Sequence, residues 1–271
     1  MRGTILCLMM ALPAGVASAD GELDAKARSF GINLPQGYLA EGALPDSNTF
    51  LPPPPAAESA AQALDHVSAE QAVALNGTAR FQQATLDAGI AAPDVTGLFS
   101  CAAGIAIGPG TTPKTDALLH KAMTDLGIGG YPTKDKYKHV RPFMVNKQPT
   151  CTPDQEKMLA QDGSYPSGHS TIGFGWSLIL AELLPARAAD LVERGREFGD
   201  SRMVCNVHWL SDVQAGRSVA AAVVSRLHAV PEFRADMEAA AAELAASSAK
   251  PDAADCEREA AALAQDWPGN R

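Results

Sequence analysis

Basic residues are in deficit. The chain has 22 Lys and Arg against 31 Asp and Glu, a formal charge of −9. Such a chain is a poor general binder of nucleic acid or of an anionic membrane, so any phosphate site must concentrate its few cations locally. Beyond the N-terminal segment no stretch approaches the roughly 18 apolar residues of a spanning helix, and the mature chain is expected to be soluble. Long alternating polar and apolar runs, the mark of half-buried strands, are hard to find, and no internal repeat is evident. Neither a His-Glu-x-x-His helix nor a paired Cys-x-x-Cys is present, so no metal site and no cofactor are indicated. The Gly-x-Ser-x-Gly elbow of a serine hydrolase is missing as well, because Tyr165 and His169 stand where its glycines would flank Ser167.

What is present suits one large globular domain or two small ones: 271 residues, 46% hydrophobic and 20% charged. Residues 1–19 have the parts of a secretory signal. Arg2 is the positive start, Ile5 to about Leu12 the apolar stretch, and Ala17-Ser18-Ala19 the small-residue cleavage site, with Asp20 as the mature start. Export to the periplasm is expected, and loss of Arg2 takes the charge from −9 to −10. The mature chain keeps Cys101, Cys151, Cys205 and Cys256. An even count in an oxidising compartment favours two disulfides, with three pairings open.

The rest divides by composition. Residues 20–55 are rich in Gly, Pro and Asn and end in Phe-Leu-Pro-Pro-Pro-Pro, an extended arm laid along the surface. Residues 56–247 read as an all-α, single compact helical domain of eight or nine helices. Helical spacing runs over 56–88, 112–126 with Pro113 at the first position, 133–140, 153–160, 168–184, 187–199, 207–228 and 231–247. Residues 248–271 are an Ala- and charge-rich tail, a peripheral helix or partly disordered.

Three stretches carry chemistry. In Gly-Ser-Tyr-Pro-Ser-Gly-His-Ser, residues 163–170, Ser167 is a natural N-cap for a helix starting near Gly168. The free N–H groups of that helix start favour an anion, glycine leaves room for it, and His169 stands beside it. An ordinary capped helix explains the stretch equally well when it is taken alone. In Lys134 to Pro142, Lys134 and Arg141 are seven residues apart and would share one helix face, with Pro142 ending the helix. Two cations there suit a multi-oxygen anion, although a solvated charged helix is the commoner meaning of such a run. In Ser201 to Asp212, His208 and Asp212 have the spacing at which side chains meet on one helix, so the carboxylate would fix the imidazole tautomer. Arg202 would fall on another face of a continuous helix, so a break between Arg202 and His208 is expected. His66, His120, His139 and His228 read as surface or core residues on helices, without matching partners.

Together the patterns Lys-x6-Arg-Pro, Pro-Ser-Gly-His and Ser-Arg-x5-His-x3-Asp resemble the signature of the phosphatidic-acid-phosphatase-type superfamily. That group includes bacterial non-specific acid phosphatases and vanadium haloperoxidases. The Pro-rich arm, the secretory signal and the Gly-Ser-Tyr-Pro-Ser-Gly-His flank are similar to the class A acid phosphatases, over roughly residues 50 to 240. Ser170 stands where that family usually has threonine. The resemblance implies a metal-independent hydrolysis of phosphate monoesters of broad range, with transfer to alcohols as a side activity. His208 would be the nucleophile that becomes a phosphohistidine, Asp212 its orienting carboxylate, and His169 the general acid and then base. Lys134, Arg141, Ser167, Gly168 and Arg202 would bind the phosphate. Small phosphomonoesters are the expected partners, with no nucleic acid and no membrane after signal cleavage; self-association is left open. Because Cys151 follows the Lys–Arg stretch and Cys205 follows Arg202, both should lie near this site. That favours Cys151–Cys205, with Cys101–Cys256 as the second pair. The rival readings are a vanadate-dependent haloperoxidase, a lipid phosphatase, which would need membrane spans, and a non-catalytic phosphate-binding protein, which would not need His208 beside Asp212.

Overall fold

The computed structural model describes residues 35–40 and 42–265. The expected signal, 1–19, and the first part of the arm, 20–34, lie outside the described residues. The described part of the arm is held by specific bonds rather than by its prolines alone. The backbone N–H groups of Tyr38 and Leu39 donate to the Asp125 carboxylate, at 2.7 and 3.2 Å. Tyr38 Oη donates to Asp236. The arm then forms a one-turn helix, α1 (Ser47–Phe50), capped by Asp46.

The chain is all-α, with no strand among the described residues. The expected helix over 56–88 is two helices, α2 (Ala60–Val73) and α3 (Ala79–Asp87). Gly77 between them sits at φ +78°, a conformation that ends helices, and the Thr78 hydroxyl then accepts from Phe81 N–H to start the next one. There follow α4 (Ser100–Ala103), α5 (Pro113–Ile128) with Pro113 at its first position as expected, α6 (Tyr131–Tyr137), α7 (Pro142–Asn146) and α8 (Glu156–Leu159). The long helices α9 (Gly168–Leu183), α10 (Ala188–Val204), α11 (Leu210–Leu227) and α12 (Pro231–Ala246) complete the body, and α13 (Ala253–Leu263) lies in the tail.

Helix α9 is the centre. It packs chiefly on α10 and α11, with α5 and α12 beside them. The contact with α10 is close because Gly195 has no side chain; a Cβ there would collide with the Ser177 side chain. Trp176 of α9 is fully buried and spends its only donor on the Leu119 carbonyl at 2.7 Å. Phe99, Leu126, Phe198, Val223 and Phe233 fill the same core.

A buried charge network braces the far side. Arg194 donates to Asp87 and to Glu259, and Arg80 donates to Glu197 and Ser201. It joins α3, α10 and α13. The Cys101–Cys256 disulfide also fastens α13, to α4. No helix among the described residues is long and apolar enough to cross a membrane.

Candidate active site

The site lies where α9 begins. Ser167 is the N-cap, and its hydroxyl accepts from the backbone N–H of Ser170 at 3.2 Å and from the Ser170 hydroxyl at 2.8 Å. Ser167 N–H donates to the Asp212 carbonyl at 3.0 Å, so the octapeptide is bonded directly to the start of α11. Gly216 of α11 permits this approach: a Cβ there would stand 2.5 Å from the Ser167 carbonyl oxygen. Tyr165, joined to Pro166 by a cis peptide bond, donates its hydroxyl to the Pro52 carbonyl and ties the arm to the same loop.

Lys134 and Arg141 do not share a helix. Helix α6 stops at Tyr137 because Lys138 turns left-handed, with φ at +45°. Arg141 is instead the extended residue before Pro142, which opens α7 rather than closing the earlier helix. The two cations converge through the loop that follows α8. Lys134 Nζ and Arg141 Nη2 both donate to the Gly163 carbonyl, at 2.6 and 3.3 Å. Both also face Asp162 Oδ2, at 3.5 and 3.2 Å.

The expected break between Arg202 and His208 is present. Helix α10 ends at Val204, and the chain reverses at Asn206 with φ at +59°. Asn tolerates that conformation, and here it exchanges amide bonds with Asn146 at 2.8 and 3.0 Å. The Cys151–Cys205 disulfide adjoins the turn, the pairing favoured above. The expected helix over 207–228 therefore begins only at Leu210, and His208 precedes it. Asp212 meets His208 by reaching back from the third helical position. Its Oδ2 accepts from Trp209 N–H at 2.8 Å and lies 3.2 Å from His208 Nδ1, half of a capping box rather than a helix-face pair.

Lys134, Arg141, Gly168, His169, Arg202 and His208 line one cavity of about 140 Å³. Its remaining wall is largely apolar, with Ile90, Met123, Met158 and Ile172. Ser167 and Asp212 stand behind this layer and are fully buried. A Cβ on Gly168 would meet no protein atom nearer than 3.9 Å, so the space that glycine leaves belongs to the cavity.

Arg141 Nη1 lies 3.1 Å from His208 Nε2 and also donates to the Val207 carbonyl, while Nε donates to the carbonyls of Leu159 and Asp162. Arg202 differs. Its guanidinium is buried, yet Nε and Nη1 have no hydrogen-bond partner among the described residues. Burial pushes its pKa down to about 9, and nearby Arg141 adds to this. Burial, then Arg141, also push the His208 imidazole down to about 3, despite Asp212. Burial and then Arg202 hold His169 well below its ordinary value. Burial acts to raise the Asp212 carboxyl, but contacts from His139, His208 and Trp209 N–H hold it well below the usual carboxylate range. Each depressed imidazole and each unsatisfied guanidinium would be relieved by a bound anion.

Two residues near the site escaped the sequence. Asp162 faces both Lys134 and Arg141 from a loop with no recognisable spacing. His139, expected to be a bland helical residue, lies in the linker after α6, and its Nδ1 is 3.4 Å from Asp212 Oδ1. His120 and His228 also have carboxylate neighbours, Asp116 and Glu182, both away from the cavity.

Residues 117–235 match the PAP2 superfamily, a span that contains every cavity-lining cation and both cavity histidines. The chain is 39% identical over 193 residues to a non-specific acid phosphatase of Salmonella typhimurium, covering 70% of this chain and 76% of that protein. It is 40% identical over 203 residues to an acid phosphatase of Zymomonas mobilis, covering 73% and 75%. With a non-specific acid phosphatase of Providencia stuartii it shares 40% over 210 residues, covering 77% and 84%. The chain belongs to the PAP2 superfamily. Within it, the enzyme is an acid phosphatase, and the all-helical body centred on α9 is the fold expected for one.

Proposed function

We propose that this acid phosphatase cleaves small phosphate monoesters of broad range in two steps, through a phosphohistidine on His208. The observation that supports this best is the state of His208. Arg141 offers only hydrogens, so His208 Nε2 accepts and Nδ1 carries the hydrogen toward Asp212. An imidazole in that tautomer directs a lone pair into a cavity beside an unsatisfied guanidinium.

In the first step the Nε2 lone pair forms a bond to phosphorus as the ester P–O bond breaks. Lys134, Arg141 and Arg202 face the non-bridging oxygens, and the Gly168 and His169 N–H groups at the start of α9 add donors. Ser167 shapes that helix start. His169 Nε2 donates to the Ala88 carbonyl at 3.1 Å, which leaves Nδ1 to give a proton to the departing alkoxide and, in the second step, to take one from water as its oxygen bonds to phosphorus and the Nε2–P bond breaks. In the empty site the surrounding cations oppose a charged His169. Binding of the anionic ester reverses that, so protonation of His169 and binding of substrate are coupled. The expected result is an acid optimum with a bell-shaped profile, and a rate still rising through pH 9 would contradict it.

The chemistry needs no metal, because the histidine and the cations perform activation and charge stabilisation. We further propose removal of residues 1–19 on export to the periplasm, leaving the 20–55 arm, the 56–247 domain and the 248–271 tail. The decisive experiment is hydrolysis of a panel of phosphate esters in chelator, with trapping of an acid-labile phosphohistidine. His208→Ala should abolish turnover and labelling while inorganic phosphate still binds. Label retained in that variant would refute the nucleophile assignment.

A further inference from the structure

We propose that His139 is a positioning residue for the nucleophile, acting through the carboxylate that the two histidines share. This rests on the role proposed for His208. His139 is not in the catalytic cavity. It lines a second one, of about 260 Å³, together with Asp65, His66 and Trp209. The Asp212 carboxylate separates the two cavities: His208 Nδ1 is 3.2 Å from Oδ2 and His139 Nδ1 is 3.4 Å from Oδ1.

The two oxygens are unequally served. Oδ2 has Trp209 N–H and His208, whereas Oδ1 is buried and has no formed hydrogen bond among the described residues. A buried anionic oxygen without a donor is costly. Held on one side only, a carboxylate can also turn about its Cβ–Cγ bond and carry Oδ2 away from His208. The His139 N–H is placed to prevent this. It is 3.1 Å from Ser164 Oγ as well, and a small rotation of the ring shifts it from Ser164 to Asp212 Oδ1, closing a contact slightly longer than an ordinary hydrogen bond.

The need for this donor peaks during the reaction. As the Nε2–P bond forms and the ester bond breaks, the His208 ring becomes cationic while keeping its Nδ1 hydrogen. Asp212 must then stay ionised and aligned. His139 supplies a third N–H to that carboxylate, the first on Oδ1, and neither takes nor gives a proton. Its backbone is secured separately, since its carbonyl accepts from Ser164 N–H at 2.8 Å. Its side chain is 23% exposed, so replacing it leaves no large core void.

The test is an isosteric pair. His139→Asn keeps an N–H where Nδ1 stands, and His139→Leu keeps the shape without it. Steady-state hydrolysis of an aryl phosphate and competitive inhibition by inorganic phosphate are measured for both. The expected result for His139→Leu is a kcat about tenfold lower with phosphate affinity within about twofold, and recovery of most of the loss in His139→Asn. A wild-type kcat in His139→Leu, or equal impairment of the two variants, would overturn the inference alone. Turnover surviving in His208→Ala would remove the nucleophile reading and this inference with it.

Discussion

Arg141 Nη1 and His208 Nε2 face each other at 3.1 Å across the wall of the cavity. A guanidinium cannot accept, so the contact holds His208 neutral and its lone pair engaged until a phosphate oxygen draws Nη1 away. Arg141 thus guards the proposed nucleophile in the empty enzyme and binds the ester in the occupied one. Arg141→Lys keeps the charge but cannot serve the Leu159, Asp162 and Val207 carbonyls together. We expect kcat/KM to fall about 100-fold or more, with a lower thermal midpoint. Activity within a few-fold of wild type would show that a point charge is enough.

A second prediction concerns pH and stability. An unfolded histidine titrates near 6.5 and folded His208 at about 3, so between those values the unfolded chain binds the extra proton. His208 therefore costs stability as pH falls through that window. Asp125 and Asp200, both pushed up to about 6 by burial, act in the opposite sense, so the wild-type curve alone does not isolate it. His208→Asn removes the group. Its stability relative to wild type should rise, by on the order of 1 kcal/mol per pH unit, as pH falls from about 6.5 toward 4. A difference that does not change with pH, measured by denaturant melts, would contradict the buried neutral state.

Gly216 tests how the octapeptide is seated. Gly216→Ala places a methyl group against the Ser167 carbonyl and the Ser170 side chain and must push α11 off the start of α9. A loss of about 1–3 kcal/mol is expected, with a drop in kcat, because the Ser167 N–H bond to Asp212 lies at the same contact. Unchanged kcat in a destabilised protein would separate packing from alignment here.

The two disulfides should separate by function. Each closes a long loop, 54 and 155 residues apart in sequence, so the loss of either costs about 4–5 kcal/mol in the chain-entropy picture. Only Cys151–Cys205 adjoins the Asn206 turn that brings Arg202 and His208 together. Replacing that pair by alanine should lower kcat at temperatures where the fold survives, whereas replacing Cys101 and Cys256 should lower the melting temperature and spare kcat.

Much of the site was legible because its members are few and rare in type. Lys134, Arg141, His169, Arg202 and His208 reach one cavity, as the motif order implied, and the break after Arg202 followed from helical geometry. The local reasons were partly different. Lys134 and Arg141 meet through a loop and not along one helix, because the backbone at Lys138 is left-handed and no residue type announces that. Asp212 reaches His208 from a helix start rather than across a helix face. Asp162 and His139 stayed hidden because their partners are distant in the chain and packing alone sets such pairs.

The unsatisfied guanidinium of Arg202 has a consequence for the end of the catalytic cycle. A fold that keeps a buried cation waiting is most stable when an anion fills the place, and hydrolysis itself makes a suitable one. Inorganic phosphate should therefore both raise the melting temperature and slow the enzyme as product accumulates. What recruits the ester also delays the departure of what remains of it.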